Sequence, residues 1–236
     1  QVYYSVNEVK SNMHILEILQ NIINTKQLNI KFKKNGENLI YCNNLKIFLP
    51  TKTLSYDEII IEKGKHYCLQ GDSGKGKSTL VKTFAGLITT YTGQLEFDLE
   101  DSLIDSVSYC DQNALLLNDS LKNNLIAGLI LNEERLSEVF DICELYDICS
   151  LQDINTIEIK NYGENLSGGQ IQRISLARSI YKNCTLYIFD ESTSSIPEQQ
   201  QLRILNKINL FLKQKTLIMI AHRQSVLEIY PNKILI

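Results

Sequence analysis

Residues 71 to 79 form a glycine-rich segment whose spacing suits the binding of phosphate groups. The segment fits G-x-x-x-x-G-K-[ST], in which glycines let backbone N–H groups face phosphate oxygens. In this pattern we expect Lys77 to contact the β and γ phosphates of a nucleotide and Ser78 to ligate Mg²⁺. An ordinary strand-to-helix turn is the alternative, but an apolar run before the segment and a helical run after it favour the phosphate loop. The predicted loop consists of Gly71, Asp72, Ser73, Gly74, Lys75, Gly76, Lys77, Ser78 and Thr79.

A second anion-binding pattern lies downstream, immediately before a helical stretch that includes Ile174 and Ile180. It combines a serine hydroxyl, two glycines and the start of a helix, all of which can face a phosphate. Taken alone, such a turn is more often a flexible loop. Its position behind a phosphate loop favours the anion-binding interpretation. The residues concerned are Ser167, Gly168, Gly169 and Gln170.

Two adjacent carboxylates, Asp190 and Glu191, follow the apolar run 186–189. If that run is a parallel strand, both carboxylates lie at the carboxyl edge of the sheet, where ligands of α/β proteins bind. Asp190 suits the coordination shell of Mg²⁺, and Glu191 suits a general base that orients an attacking water. A solvated acidic strand end is the alternative.

The composition excludes several classes of protein. The net charge of −3 gives no general attraction to nucleic acid or to anionic lipid. The six cysteines include no C-x-x-C pair and no cluster with histidine, which argues against a zinc site or a disulfide framework and favours a reducing compartment. No apolar run approaches the ~18 residues that span a bilayer.

The order of elements predicts an α/β fold. Residues 28–32, 39–49 and 59–61 are typical of strands, so the N-terminal third is mostly β. Residues 113–165 have helical periodicity and predict a helical insertion. Beyond them, helices at 166–182 and 198–211 alternate with strands at 186–189 and 216–221, which predicts a parallel sheet. An apolar stripe over residues 9–25 predicts a further helix that precedes the main domain.

With these motifs in this order, residues 28–236 resemble the nucleotide-binding domain of an ATP-binding cassette (ABC) transporter. The resemblance implies a P-loop NTPase core with a mostly parallel sheet, an N-terminal antiparallel β subdomain and a helical subdomain inserted between the Q-loop and the signature motif. It identifies 71–79 as the Walker A loop, 166–170 as the signature loop and Asp190 with Glu191 as the Walker B end. The implied activity is ATP hydrolysis coupled to transport, with ATP and Mg²⁺ bound.

The resemblance also implies roles for three further residues. Gln112 matches the Q-loop glutamine, which contacts Mg²⁺ and senses the γ phosphate, and His222 matches the switch histidine. Adenine is expected to stack on an aromatic residue upstream of the Walker A loop. Phe48 is our choice, with Tyr41 and Tyr56 as competitors, and a structural role for Phe48 in a β-strand is equally compatible with the sequence.

In this family two such domains pair head to tail, so that the signature loop of one closes on the ATP held by the other. A transmembrane domain fused on the N-terminal side is expected, with residues 1–27 as its helical tail, and the chain would lie at the cytoplasmic face of a membrane. The layout resembles exporter half-transporters, although residues 45–50 also resemble a branch that includes peptide importers. No nucleic-acid partner is expected.

Two features depart from the family pattern. Pro197 stands where the D-loop has an aspartate, and Lys160 with Asn161 replaces a Gly-Glu pair before the signature. These departures put the communication between two ATP sites, and one contact to the membrane domain, in doubt. Two alternatives stay open: a soluble ABC ATPase that acts on nucleic acid or ribosomes, and an ATP-gated regulatory module with little turnover.

Overall fold

A computed structural model describes residues 31–32 and 36–236 of the chain. The helix predicted over residues 9–25 and most of the strand predicted at 28–32 lie outside the described residues. The strands in the described part are Lys31–Phe32 (β1), Asn38–Phe48 (β2), Thr53–Tyr56 (β3), Ile59–Glu62 (β4), His66–Gln70 (β5), Tyr91–Phe97 (β6), Val107–Cys110 (β7), Leu186–Asp190 (β8), Thr216–Ile220 (β9) and Asn232–Leu235 (β10).

The same part of the chain contains seven α-helices and three 3₁₀ turns. The helices are Lys77–Phe84 (α1), Leu103–Ser106 (α2), Leu121–Ile126 (α3), Glu133–Ile142 (α4), Gly168–Tyr181 (α5), Glu198–Phe211 (α6) and Gln224–Leu227 (α7). The 3₁₀ turns are Leu145–Asp147, Leu151–Asp153 and Asn161–Gly163.

A parallel sheet forms the centre of the fold, in the order β10-β5-β9-β8-β7. Every residue of β8 and β9 is buried, which agrees with the continuous apolar runs expected of strands covered on both faces. The α/β fold predicted from the sequence is therefore confirmed. All five strands run the same way, so the loops after β5, β7, β8 and β9 leave from one edge of the sheet.

A second, antiparallel sheet is built around β2, which pairs with β3, β4 and β6. Its pairing with β6 shifts register between Asn43 and Lys46, and Asn44 has a left-handed backbone with φ 50°. The shift is a β-bulge, which lets a strand of eleven residues bend. The sheet brings the end of β3 beneath the loop that follows β5.

Residues 113–165 carry α3, α4 and the three 3₁₀ turns, together with an isolated bridge between Ser120 and Glu158. Helix α3 ends at Ile126, because Ala127 takes a left-handed conformation with φ 48°. Helix α5 packs against both α3 and α4, and against β7 of the central sheet.

Candidate functional site

The loop 71–79 joins β5 to α1, as the motif predicts. Gly76 precedes the helix with φ 98°, and Lys77 is the first helical residue. The side chain of Lys77 is only 6% exposed, and its Nζ donates to the carbonyls of Gly71 (2.8 Å) and Asp72 (3.0 Å). From β3, the hydroxyl of Tyr56 donates to the carbonyl of Gly76 (2.9 Å). The ammonium is thus already directed into the concave side of its own loop.

The other residues of the predicted loop differ in their exposure to solvent. Ser78 and Thr79 are half-buried in the first turn of α1. The exposed members are Gly71, Asp72, Ser73, Gly74 and Lys75. An open loop at the N-terminal end of a helix leaves its backbone N–H groups accessible to an anion.

Asp190 ends β8 and lies beside α1. Its Oδ1 accepts a hydrogen bond from Ser78 Oγ (2.9 Å), and its Oδ2 accepts one from the hydroxyl of Tyr109 (2.9 Å). Asp190 is 1% exposed. Burial raises the pKa of Asp190, and the hydrogen bonds from Ser78 and Tyr109 oppose that shift. Burial and the neighbouring Asp190 raise the pKa of Tyr109 well above its ordinary value, so the phenol keeps its proton and acts as the donor.

Glu191 follows Asp190 but points to different partners. Its backbone is left-handed, with φ 50°, and its N–H donates to the carbonyl of Ile220 at the end of β9. One carboxylate oxygen accepts from Gln112 Nε2 (3.0 Å), and the other lies 2.8 Å from His222 Nε2. A carboxylate only accepts, so the histidine carries its proton on Nε2. Residues from the ends of three strands therefore meet at one carboxylate.

The segment 167–170 forms the start of α5. Ser167 caps the helix: its hydroxyl accepts from the N–H of Gln170, and the Gln170 side chain accepts from the N–H of Ser167. This reciprocal arrangement is a capping box, which the sequence analysis did not identify. Ser167 and Gly168 are exposed, whereas Gly169 and Gln170 are half-buried. Ser195 lies next to both glycines of this loop, within 4 Å of the positions that Cβ atoms on Gly168 and Gly169 would occupy.

The three aromatic candidates for the base of a nucleotide lie in different surroundings. Phe48 is 46% exposed at the end of β2. Tyr56 is 5% exposed and lies under the phosphate loop, where its hydroxyl is already bonded. Tyr41 donates its hydroxyl to Glu58. Of the three, Phe48 offers the most accessible ring.

The residue types at this edge also fit a divalent cation. Mg²⁺ prefers oxygen ligands such as carboxylates and hydroxyls. Asp190 and Ser78 supply both, already within hydrogen-bonding distance of each other. Gln112 adds an amide on the neighbouring loop, although its side chain is turned to Glu191. The donor set therefore suits Mg²⁺.

Several residues of this region did not emerge from the motifs. Tyr109, on β7, donates to Asp190, and Tyr56, on β3, donates to the carbonyl of Gly76. Gln172 and Arg223 contact the segment 193–197: Gln172 Nε2 donates to Ser194 Oγ (3.1 Å), and Arg223 Nη2 donates to the Ser194 carbonyl (2.8 Å). No sequence signal marks these residues, because each acts across a pairing of strands or helices that the sequence does not state.

Comparisons with known proteins identify relatives of this chain. A model of the ABC transporter family matches residues 54–194. The ATP-dependent lipid A-core flippase of Blochmanniella floridana is 34% identical over 203 residues, which are 80% of this chain and 35% of that protein. The Microcin-J25 export ATP-binding/permease protein McjD of Escherichia coli is 32% identical over 185 residues, 75% of this chain and 32% of that protein.

Two further matches extend the comparison. ABC transporter C family member 12 of Dictyostelium discoideum is 34% identical over 168 residues, which are 70% of this chain and 12% of that protein. A bacterial Atm1-family ABC exporter solved with ATP bound aligns with a TM-score of 0.79 at 22% identity, over 100% of this chain and 44% of that one, and shows the likeness of fold. The chain thus spans about a third or less of the curated relatives named above.

In the described part of the chain, no helix has the length and apolarity to cross a membrane. The family model covers more than half of the chain, including both the phosphate loop and the carboxylates after β8. The chain therefore belongs to the ABC transporter family, as one of its ATP-binding ATPase domains.

Proposed function

We propose that this chain is the ATP-hydrolysing motor of an exporter-type transporter. The observation that carries the proposal is the meeting of Gln112, Glu191 and His222 next to the pair formed by Ser78 and Asp190. Gln112, Glu191 and His222 follow the parallel strands β7, β8 and β9, Asp190 ends β8, and Ser78 lies in the first turn of α1. Their convergence supplies a base, two polar groups that orient it, and a cation site at one edge of the sheet.

Lys77 would bind the β and γ phosphates of ATP. Its ammonium now donates to two carbonyls of its own loop, and phosphate oxygens would replace these as stronger, charged acceptors. The backbone N–H groups of residues 73–79 would hold the same phosphates at the start of α1. Phe48 would stack on the adenine.

Ser78, Asp190 and Gln112 would hold Mg²⁺, which would supply positive charge to offset the negative charge that develops on the phosphates during transfer. The oxygen of Ser78 can face a cation while its proton still donates to Asp190. Gln112 would turn from Glu191 toward the cation, and this movement would free one oxygen of the glutamate.

Glu191 would act as the general base. A carboxylate offers about four lone-pair positions, and the contacts with Gln112 and His222 occupy only two of them even before Gln112 turns away, so a water can bind. Glu191 would accept a proton from that water. The water oxygen would attack the γ phosphorus in line with the leaving oxygen, whose bond to the γ phosphorus breaks. His222, with its proton on Nε2, would then donate to the γ phosphate.

A second copy of the domain would complete the site in a head-to-tail dimer. In support, Ser167 and Gly168 are exposed at the start of a helix of fourteen residues, which favours a negative ligand supplied by another subunit. Loss of the γ phosphate would remove the contacts that close the dimer. A membrane domain, expected on the N-terminal side, would respond to that opening at the cytoplasmic face of its membrane.

The direction of transport is inferred from relatives. Two of them bear the printed names of a flippase and of an export ATP-binding/permease protein. We extend export to this chain on that similarity. A regulatory module with little turnover is the second candidate, and the proline at position 197 is the observation that favours it.

Phosphate release from Mg-ATP by the purified 236-residue chain, measured across protein concentrations, tests the proposal. We expect specific activity to rise with concentration. Glu191→Gln should keep ATP binding but lower turnover about a hundredfold or more, because it removes the general base. Lys77→Ala should mainly weaken ATP binding. If a chain shown to be dimeric by sedimentation binds ATP without releasing phosphate, the regulatory module replaces the motor.

A further inference from the structure

We propose that Tyr109 is a positioning residue that fixes the Asp190 carboxylate for the divalent cation. The inference rests on the proposed function, since it concerns the same cation site. Its basis is that each oxygen of Asp190 has its own fixed donor: Ser78 Oγ lies 2.9 Å from Oδ1, and the hydroxyl of Tyr109 lies 2.9 Å from Oδ2.

The register of the central sheet explains how Tyr109 reaches this carboxylate. Tyr109 of β7 is paired with Ile188 of β8, and Asp190 lies two residues farther along β8. Residues two apart in a strand lie on the same face. Tyr109 and Asp190 are therefore diagonal neighbours, about 7–8 Å apart, a separation that an aromatic side chain can span. A shorter polar side chain at position 109 would fall short of the carboxylate.

Two donors acting together fix the plane of the carboxylate. With Ser78 alone, rotation about the Cβ–Cγ bond would move Oδ2 freely. The bond from Tyr109 removes that freedom, and each oxygen keeps a second lone pair for a water bound to the cation. Groups that orient a metal ligand in this way commonly change metal affinity about 10–100-fold when they are removed.

The surroundings of Tyr109 differ from those of the other groups at the site. Its hydroxyl is bonded to Asp190, while its ring lines a cavity of about 580 Å³ between β7 and the helical region 113–129, together with Asp111, Leu115 and Arg178. The hydroxyl of Tyr109 donates to the Asp190 carboxylate, which lies outside the phosphate loop. Its removal should therefore affect the cation and leave the nucleotide contacts unchanged.

Mn²⁺ binding to the full chain in the presence of ATP, followed by electron paramagnetic resonance, tests the inference. Tyr109→Phe keeps the ring and removes the hydroxyl. We expect the Mn²⁺ dissociation constant to rise about tenfold, with ATP affinity in EDTA unchanged within about twofold. The matched control is Tyr187→Phe, which loses a buried hydroxyl from β8 that bonds Lys182 and Cys184 at the opposite end of the sheet.

The outcomes separate this inference from the proposed function. Unchanged Mn²⁺ affinity in Tyr109→Phe, with thermal unfolding like that of the parent, would overturn the positioning role while leaving the ATPase intact. Equal weakening in Tyr109→Phe and Tyr187→Phe would also overturn it, because a general loss of stability would then be the cause. If the parent chain binds neither ATP nor Mn²⁺, the proposed function fails first. Asp190→Ala serves as the reference for a lost cation site.

Discussion

Alanine at Gly76 should be far more damaging than alanine at Gly74, although both residues lie in the same loop. Both have left-handed backbones, with φ 98° at Gly76 and φ 80° at Gly74. A side chain in that region costs roughly 1–2 kcal/mol at either position. A Cβ at Gly74 would meet nothing within 4 Å, so the backbone cost is its whole cost.

At Gly76 the new methyl group would also collide with the residues beneath the loop. Its position overlaps the Tyr56 hydroxyl and lies 2.6 Å from Leu54 Cδ1. Overpacking of this kind costs about 1–3 kcal/mol. The free energy of unfolding should therefore fall by about 2–5 kcal/mol in Gly76→Ala, against about 1–2 kcal/mol in Gly74→Ala.

Urea denaturation of both variants, with ATP affinity measured in parallel, provides the assay. A double variant tests whether the overlap with Tyr56 is the cause. Because Tyr56→Phe removes the overlapping oxygen, Gly76→Ala should lower the free energy of unfolding by about 1 kcal/mol less in that background than in the parent. The reasoning is refuted if the two single alanine variants are equally stable, or if Tyr56→Phe leaves the cost at Gly76 unchanged.

Two further predictions concern the protein away from the phosphate loop. Of the six thiols, five are buried and Cys149 is half-buried. A thiol reagent such as DTNB should therefore modify one cysteine in the native chain and six in urea. Fast modification of two or more cysteines in the native chain would contradict this burial. Hydrogen bonds from Arg173 and Arg203 lower the pKa values of Asp147 and Glu144 below their ordinary 3.8 and 4.5. The stabilisation from these two carboxylates is complete above their ordinary pKa values and is lost as the pH falls through the lowered pKa values. The free energy of unfolding, measured against pH, should therefore decline in acid, and the decline should be smaller in Asp147→Asn.

Much of the fold could be predicted from the sequence because its signals are local. The apolar runs that became β8 and β9 are long enough to mark buried strands, and Glu198–Phe211 has both predicted ends. The glycine-rich spacing determines how β5 passes into α1. These features depend on neighbours in the sequence, so no knowledge of distant contacts is needed to find them.

Other elements depend on distant residues and were missed. Strand β10 is four residues long and half-exposed, and it is recognisable as a strand only through its pairing with β5, more than 160 residues earlier. The bond between Tyr109 and Asp190 joins residues 81 apart. Its existence requires β7 and β8 to be neighbours, which the sequence does not state. The roles at the site follow from motifs, whereas the contacts that orient its side chains follow from strand order.

The segment 193–197 shows how a departure from the family pattern is accommodated. Pro197 provides no side-chain bond to α6, which begins at the next residue. Arg223, which follows His222, instead donates to the carbonyls of Ser194 (2.8 Å) and Ile196 (2.7 Å). On the other side, the amide of Gln172 accepts from the N–H of Ser195 (2.7 Å).

Most of these contacts are made to the backbone of the segment, so they do not depend on the side chain at position 197. Proline there offers no polar side chain to a second subunit, and Arg223 and Gln172 hold the segment through its backbone. Helix α5, through Gln172, and the turn after β9, through Arg223, therefore hold the same segment. Both contacts converge on Ser194 and Ser195, so two separate elements fix this turn without an aspartate at position 197.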